Sequence, residues 1–190
     1  MREGDIRIAL KNRLDFEHPY DSKIISELGL CSHKVRVDVA VVNGFVSGYE
    51  IKSEADTLER LPVQVEWYSK TLDRVCIVVA PKFISKIEQH IPEWWGIRCA
   101  IPNGDSVDIE LRRPEGDNIA HDPYCVAQFL WLEEAFEVLE SYGLSKGMKG
   151  KPRRLVWEKL AIELPLDHLR DEVRSRLKAR ENWRVALQPS

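Results

Sequence analysis

A mixed α/β core followed by an all-helical extension is the fold this sequence predicts, and three observations predict it. Residues 35–42 alternate Val35, Val37, Val39 and Val41 with Arg36, Asp38, Ala40 and Val42, the period of a strand, and Asn43-Gly44 then signals a hairpin. Residues 74–80, RVCIVVA, form the nearly continuous apolar run of a strand buried on both faces. Beyond about residue 123 the apolar spacing becomes helical. The core is therefore placed at residues 1–115 and the helical extension at 116–190, basic from about residue 145.

The elements follow in order. Asp5 to Leu14 spaces Ile6, Ala9, Leu10 and Leu14 as one helical face, with Asp5 as N-cap. Lys23 to Leu30 is a short apolar run that reads as a first strand. Val35 to Val42 and Phe45 to Lys52 are the arms of the hairpin. Asp56-x-x-Glu59 resembles a helix cap, but Pro62 forbids a helix running through it, so a turn is expected there and a helix from near Pro62 to about Leu72. The strand at 74–80 follows, then a short helix through Ile91 and a pair of strands, Gly96–Ile101 and Val107–Leu111, at the sheet's edge. Asp117–Asp122 reads as a polar loop and Cys125–Tyr142 as one long helix. Ser145–Lys151 reads as a linker, before two helices over Arg153–Leu164 and Leu166–Ala179 separated by Pro165.

Composition narrows the class. The chain has 190 residues, 44% hydrophobic and 31% charged, ordinary for a globular protein. No apolar run approaches the ~20 residues of a membrane span. The opening MREGDIRIALKNRL lacks the pattern of a signal peptide, so a cytoplasmic location with no membrane contact is expected. Cys31, Cys76, Cys99 and Cys125 have no metal-binding spacing and read as free thiols. His33, His90 and His121 likewise lack ligand spacing and read as surface or loop residues, and Trp94-Trp95 as core or a subunit contact. The net charge is −3, yet residues 145–184 carry 12 Lys/Arg against 6 Asp/Glu. That asymmetry suits a polyanion-binding tail beside an acidic centre that holds a cation.

The acidic centre is expected in the hairpin. Asp38 and Glu50 on neighbouring strands are hard oxygen ligands for Mg²⁺ or Mn²⁺. Lys52 shares a face with Glu50 because side chains alternate along a strand, and the Ile51 carbonyl between them can complete a metal shell. A carboxylate-held ion beside an ammonium group is the equipment of phosphodiester hydrolysis. Register makes the idea testable. A two-residue turn at Asn43-Gly44 would set Asp38 opposite Tyr49 and leave Glu50 on the wrong face. One extra residue is required, with Gly44 as the left-handed residue of a three-residue turn or Gly48 as a bulge. Arg36 shares the face of Asp38 and can pair with it or meet phosphate, and Asp56 reads as a cap rather than a ligand. Gln64 and Tyr68, one helical turn apart, follow on the next helix.

Asp38, the Glu50-Ile51-Lys52 triplet after a hairpin, and Gln64-x-x-x-Tyr68 together resemble the PD-(D/E)XK nuclease superfamily, in particular its RecB-like and MmcB-like DNA-repair branches. The run RVDVAVVNG…GYEIKSEADTLERLPVQVEWYSK is similar to small stand-alone bacterial members of it. The resemblance covers residues 23–81. It implies a restriction-endonuclease-like core, metal ligands at Asp38 and Glu50, a catalytic Lys52, and Gln64 and Tyr68 beside the site. The superfamily's further acidic residue is assigned to Glu27, with Glu3 and Glu17 as alternatives, and no proline precedes Asp38. The implied activity is Mg²⁺-dependent DNA hydrolysis in repair, restriction or phage-related processing, with homodimer formation open; the charge pattern itself reads Lys146, Lys149, Lys151, Arg153 and Arg154 either as contacts to the nucleic-acid backbone or as a solvated linker. The alternatives are a non-catalytic DNA-binding accessory protein, of repair or phage association, and a protein-interaction module on the same core.

Overall fold

A computed structural model describes residues 1–181. Its centre is a six-stranded sheet in the order β1 (Lys23–Leu30), β2 (Val35–Val42), β3 (Val46–Lys52), β4 (Arg74–Val79), β5 (Gly96–Asn103) and β6 (Ser106–Arg113). The first three strands and the last pair run antiparallel, while β3, β4 and β5 are mutually parallel. The parallel step from β3 to β4 is carried by α2 (Leu61–Thr71). Among the described residues no helix is long and apolar enough to cross a membrane.

Each face of the sheet carries helices because both faces are apolar. On one side α1 (Glu3–Glu17) buries Ile6, Leu10 and Leu14 completely against Val39, Val41, Tyr49, Ile51 and Val78. Burial of such side chains stabilises by roughly 1.5–3 kcal/mol each. The helix starts earlier than the periodicity suggests. Asp5 does serve its N-terminus, but from the first turn, by accepting the Arg2 N–H at 2.9 Å. On the other side lie α2 and four C-terminal helices: α3 (Pro123–Ala127), α4 (Leu132–Ser141), α5 (Arg153–Glu163) and α6 (Leu166–Ala179). Their apolar residues join those of the sheet in one continuous core.

Several expectations are corrected. The expected helix at 125–142 is two helices, broken over Gln128–Trp131, because the Glu134 carboxylate accepts the Trp131 N–H at 2.8 Å and starts a new helix there. The expected helix before Ile91 is two short 3₁₀ turns, Pro81–Phe83 and Ile87–His90. His121 lies in a loop, as expected, but not at the surface: its side chain is buried with Nε2 3.1 Å from Asp73 Oδ1. Asp56 does not cap α2, but closes a turn by accepting the Ser53 N–H and hydroxyl at 2.8 and 2.6 Å.

Asp73 ties the helical extension to the sheet. The 3% exposed carboxylate accepts the Val46 N–H at 2.7 Å and pairs with Arg170 at 2.8 Å and Arg174 at 3.5 Å, both on α6. Burial works to raise the pKa of this carboxyl. The His121 contact, the Val46 N–H and Arg170 outweigh burial and hold it below its ordinary value. Trp95 is buried and stacks on Tyr68 at 5.8 Å between ring centres, and the four cysteines are buried free thiols.

Candidate metal centre and cleft

The hairpin contains the extra residue that a shared face requires. Val42 pairs with Val46, leaving Asn43, Gly44 and Phe45 as a three-residue connection, and the same register pairs Val39 with Tyr49. Carried one step further it sets Asp38 opposite Glu50. The turn is closed by the side chain of Asn43, whose Oδ1 accepts the Phe45 N–H at 2.9 Å, while the Asn43 N–H donates to the Phe45 carbonyl at 3.0 Å. Gly44 is not in the left-handed region, and Gly48 is not a bulge, since the ladder runs through it unbroken. Gly48 has a packing reason instead. A Cβ there would lie 2.5 Å from Leu72 Cδ1 and 3.2 Å from Val37 Cγ2.

The strict alternation expected along β2 breaks at Asp38. Val39 and Val41 pack under α1, but Val35 and Val37 turn to the opposite face with Ala40 and Val42. The break is matched on β1. Ser26 pairs with Val39 and Leu28 with Val37, so Glu27 falls opposite Asp38, and Glu27 has φ 58°, left-handed for a non-glycine residue. Such backbone costs of order 1–3 kcal/mol and concentrates at functional sites. Its result is a row of three acids, Glu27, Asp38 and Glu50, across three adjacent strands.

Glu50 is 3% exposed and heavily bonded. Lys52 Nζ donates to its Oε1 at 2.7 Å, Gln64 Nε2 donates to the same oxygen, and the Tyr68 hydroxyl lies 2.6 Å from Oε2. Gln64 Oε1 also accepts from Lys52 at 3.1 Å, closing a ring of contacts. The Tyr68 hydroxyl lies 2.8 Å from the Arg36 carbonyl as well. Burial and the Glu50 charge hold that phenol protonated by raising its pKa. Asp38 accepts the Ile51 N–H at 2.7 Å. Its pKa is pushed up to about 7, first by burial and then by the charge of Glu50. Ionised together, the two carboxylates repel, and a cation between them relieves it.

Asp38, Glu50, Ile51, Lys52, Gln64 and Arg36 all line a cleft of 1190 Å³. An oxygen-only set with an acid destabilised as an anion fits a hard divalent ion such as Mg²⁺ or Mn²⁺. A second acidic grouping adjoins Asp38. Carboxylate oxygens of Glu3, Glu27 and Asp38 lie within 4.8 Å of one another. Glu17 is elsewhere, paired with Arg98 at 2.9 Å. Arg36 pairs with Glu27, not with Asp38.

A family model described as bacteriophage P4 protein cII matches residues 1–187. The chain belongs to this family. A relative, protein cII of Enterobacteria phage P4, is 29% identical over 181 residues, which cover 95% of this chain and 68% of the phage protein. No solved structure matches. The matches speak of a phage-related family and name no nuclease, so the PD-(D/E)XK resemblance rests on the residues and their arrangement alone.

In this cII-family chain the basic residues Lys146, Lys149, Lys151, Arg153 and Arg154 do not line the cleft. The cations that do, besides Lys52, are Lys34, Arg36 and Arg60, with His33 beside them. Lys34 sits over the Trp67 ring at 4.2 Å, which braces it at the rim. Sequence reasoning missed Lys34 and Arg60. Their signal was only proximity to the motif, since Lys34 directly precedes β2 and Arg60 directly precedes α2.

Proposed function

We propose that this cII-family protein is a phage-associated, cytoplasmic DNA-processing protein whose cleft hydrolyses phosphodiester bonds with a divalent metal ion. The observation that carries the reading is the register that sets Asp38 opposite Glu50, with Lys52, Gln64 and Tyr68 gathered on Glu50. Asp38 and Glu50 are the residues to hold Mg²⁺ or Mn²⁺, with the Ile51 carbonyl as a further donor. When bound, the ion supplies charge neutralisation at the phosphoryl oxygens and a more acidic water. Lys52 places an ammonium group beside that water and the phosphate. Gln64 fixes the rotamer of Lys52 and the orientation of Glu50, and Tyr68 fixes the other Glu50 oxygen. Lys34, Arg36 and Arg60 hold the phosphate backbone at the rim, where their charges act without reading sequence.

A second reading keeps the cleft and removes turnover, making the protein a DNA-binding phage accessory factor. Two observations favour it. Both Glu50 oxygens are already engaged by neighbours, and the family match is to a phage protein without a stated catalytic activity. Incubating the protein with labelled single-stranded, duplex and branched DNA in Mg²⁺ or Mn²⁺ separates the two. Shortened products that EDTA abolishes support hydrolysis. Retarded but intact DNA on every substrate supports the accessory role.

A further inference from the structure

The acids around Asp38 already hold a cation. Arg7, on the second turn of α1, places Nη1 on Glu27 and Nη2 on Glu3, and Nη2 lies 3.4 Å from Asp38 Oδ1. These are the same three carboxylates whose oxygens cluster within 4.8 Å. Glu27 reaches this corner through its left-handed backbone, and Arg36 braces it from the other side. Asp38 is thus the shared member of two sets: it faces Glu50 along the row and Arg7 in the corner. A guanidinium is a planar, permanent charge that satisfies several carboxylates at once, but it offers no exchangeable water and no open position for phosphate.

We propose that Arg7 is a resident counter-cation that keeps Asp38 in a metal-free resting form, and that a divalent ion entering the site displaces it. The inference rests on the reading of Asp38 as a metal ligand. Displacement frees the guanidinium beside Glu3 and Asp38, which both line the cleft, so that it becomes available to a phosphate and metal loading and backbone binding are coupled. The cost of releasing Arg7 is subtracted from the metal affinity. With Arg7 removed, the carboxylates lose their neutralising partner and attract the ion more strongly.

The test is Mn²⁺ binding to the 190-residue chain, followed by the loss of free-Mn²⁺ signal in electron paramagnetic resonance, for wild type, Arg7→Met, Arg7→Lys and Asp38→Asn. Arg7→Met should bind Mn²⁺ about tenfold more tightly than wild type, with Arg7→Lys between them, and Asp38→Asn should lose the site. Equal or weaker binding by Arg7→Met, with Asp38→Asn still defective, overturns the role of Arg7 and leaves the metal reading standing. Undiminished binding by Asp38→Asn overturns both. A second measurement needs no variant. The Arg7 side-chain Nε–H resonance should move on Mg²⁺ saturation of the wild-type protein, and a resonance unchanged at saturation refutes displacement.

Discussion

Asp38→Asn should stabilise the protein at alkaline pH and not at acid pH, because the site holds a carboxylate where the fold disfavours its charge. Burial and the neighbouring Glu50 push the Asp38 pKa from 3.8 to about 7. For an acid, a raised folded-state pKa means that the folded protein keeps a proton which the unfolded chain has released between about pH 4 and pH 7. Stability therefore falls as pH rises through that window and is constant above it. At ~1.4 kcal/mol per unit the rise from 3.8 to about 7 corresponds to about 4 kcal/mol at most, and relaxation around a side chain 20% exposed reduces this to roughly 2 kcal/mol. Asparagine keeps an oxygen for the Ile51 N–H and removes the charge. Urea unfolding of wild type and Asp38→Asn at several pH values from 4 to 8, without divalent ions, measures the difference. It should be near zero at pH 4 and about 2 kcal/mol in favour of the variant at pH 8. A difference that does not change with pH, or that grows toward acid, refutes the argument.

Other outcomes follow from the same geometry. Gly48→Ala should cost roughly 1–3 kcal/mol, because the added methyl meets Leu72 Cδ1 at 2.5 Å, and combining it with Leu72→Ala should cost less than the sum of the two, as thermal unfolding of the double-mutant cycle will read. Asp73→Ala should destabilise by about 3 kcal/mol, since it strands Arg170, Arg174 and the Val46 N–H, and a folded-state pKa held below the ordinary value means that the Asp73 contribution is present above about pH 4 and is lost as pH falls through the folded value. Lys34→Ala and Arg60→Ala should each weaken DNA binding and lower the salt dependence by about one phosphate contact, whereas alanines at Lys146, Lys149 and Lys151 should change both less, as fluorescence anisotropy against salt concentration will show.

The sheet was legible because strand periodicity, the Asn-Gly turn and the apolar run at 74–80 are local signals, and the hydrophobic pattern fixes register. The need for a shared face even counted the hairpin residues correctly. What carried that count was misassigned. The turn closes through the Asn43 side chain, so Gly44 needs no left-handed conformation, and Gly48 is small to admit Leu72. The face switch at Asp38 was hidden because Ala40 and Val42 are as apolar as the valines they alternate with. Nothing in the residue type of Glu27 announces a left-handed backbone. The break before α4 lies within a continuous apolar pattern and is set by one side-chain cap. Charge composition located a basic tail but carries no direction, so it could not say that the cleft takes its cations from the residues flanking β2 and α2 instead. Glu50, Lys52, Gln64 and Tyr68 were recoverable together because pleat and helical turn each fix which side chains meet.

The most direct measurement is the single-turnover rate of DNA cleavage in Mg²⁺ or Mn²⁺ for wild type beside Lys52→Ala, with far-ultraviolet circular dichroism to confirm that the variant is folded. The ammonium group lies 2.7 Å from Glu50 and 3.1 Å from Gln64. Wild type should cleave, and the variant should lose about a hundredfold or more while still binding DNA. Cleavage undiminished in Lys52→Ala, or a wild-type protein that binds DNA and never cuts it, contradicts a hydrolytic role for the row of Asp38, Glu50 and Lys52.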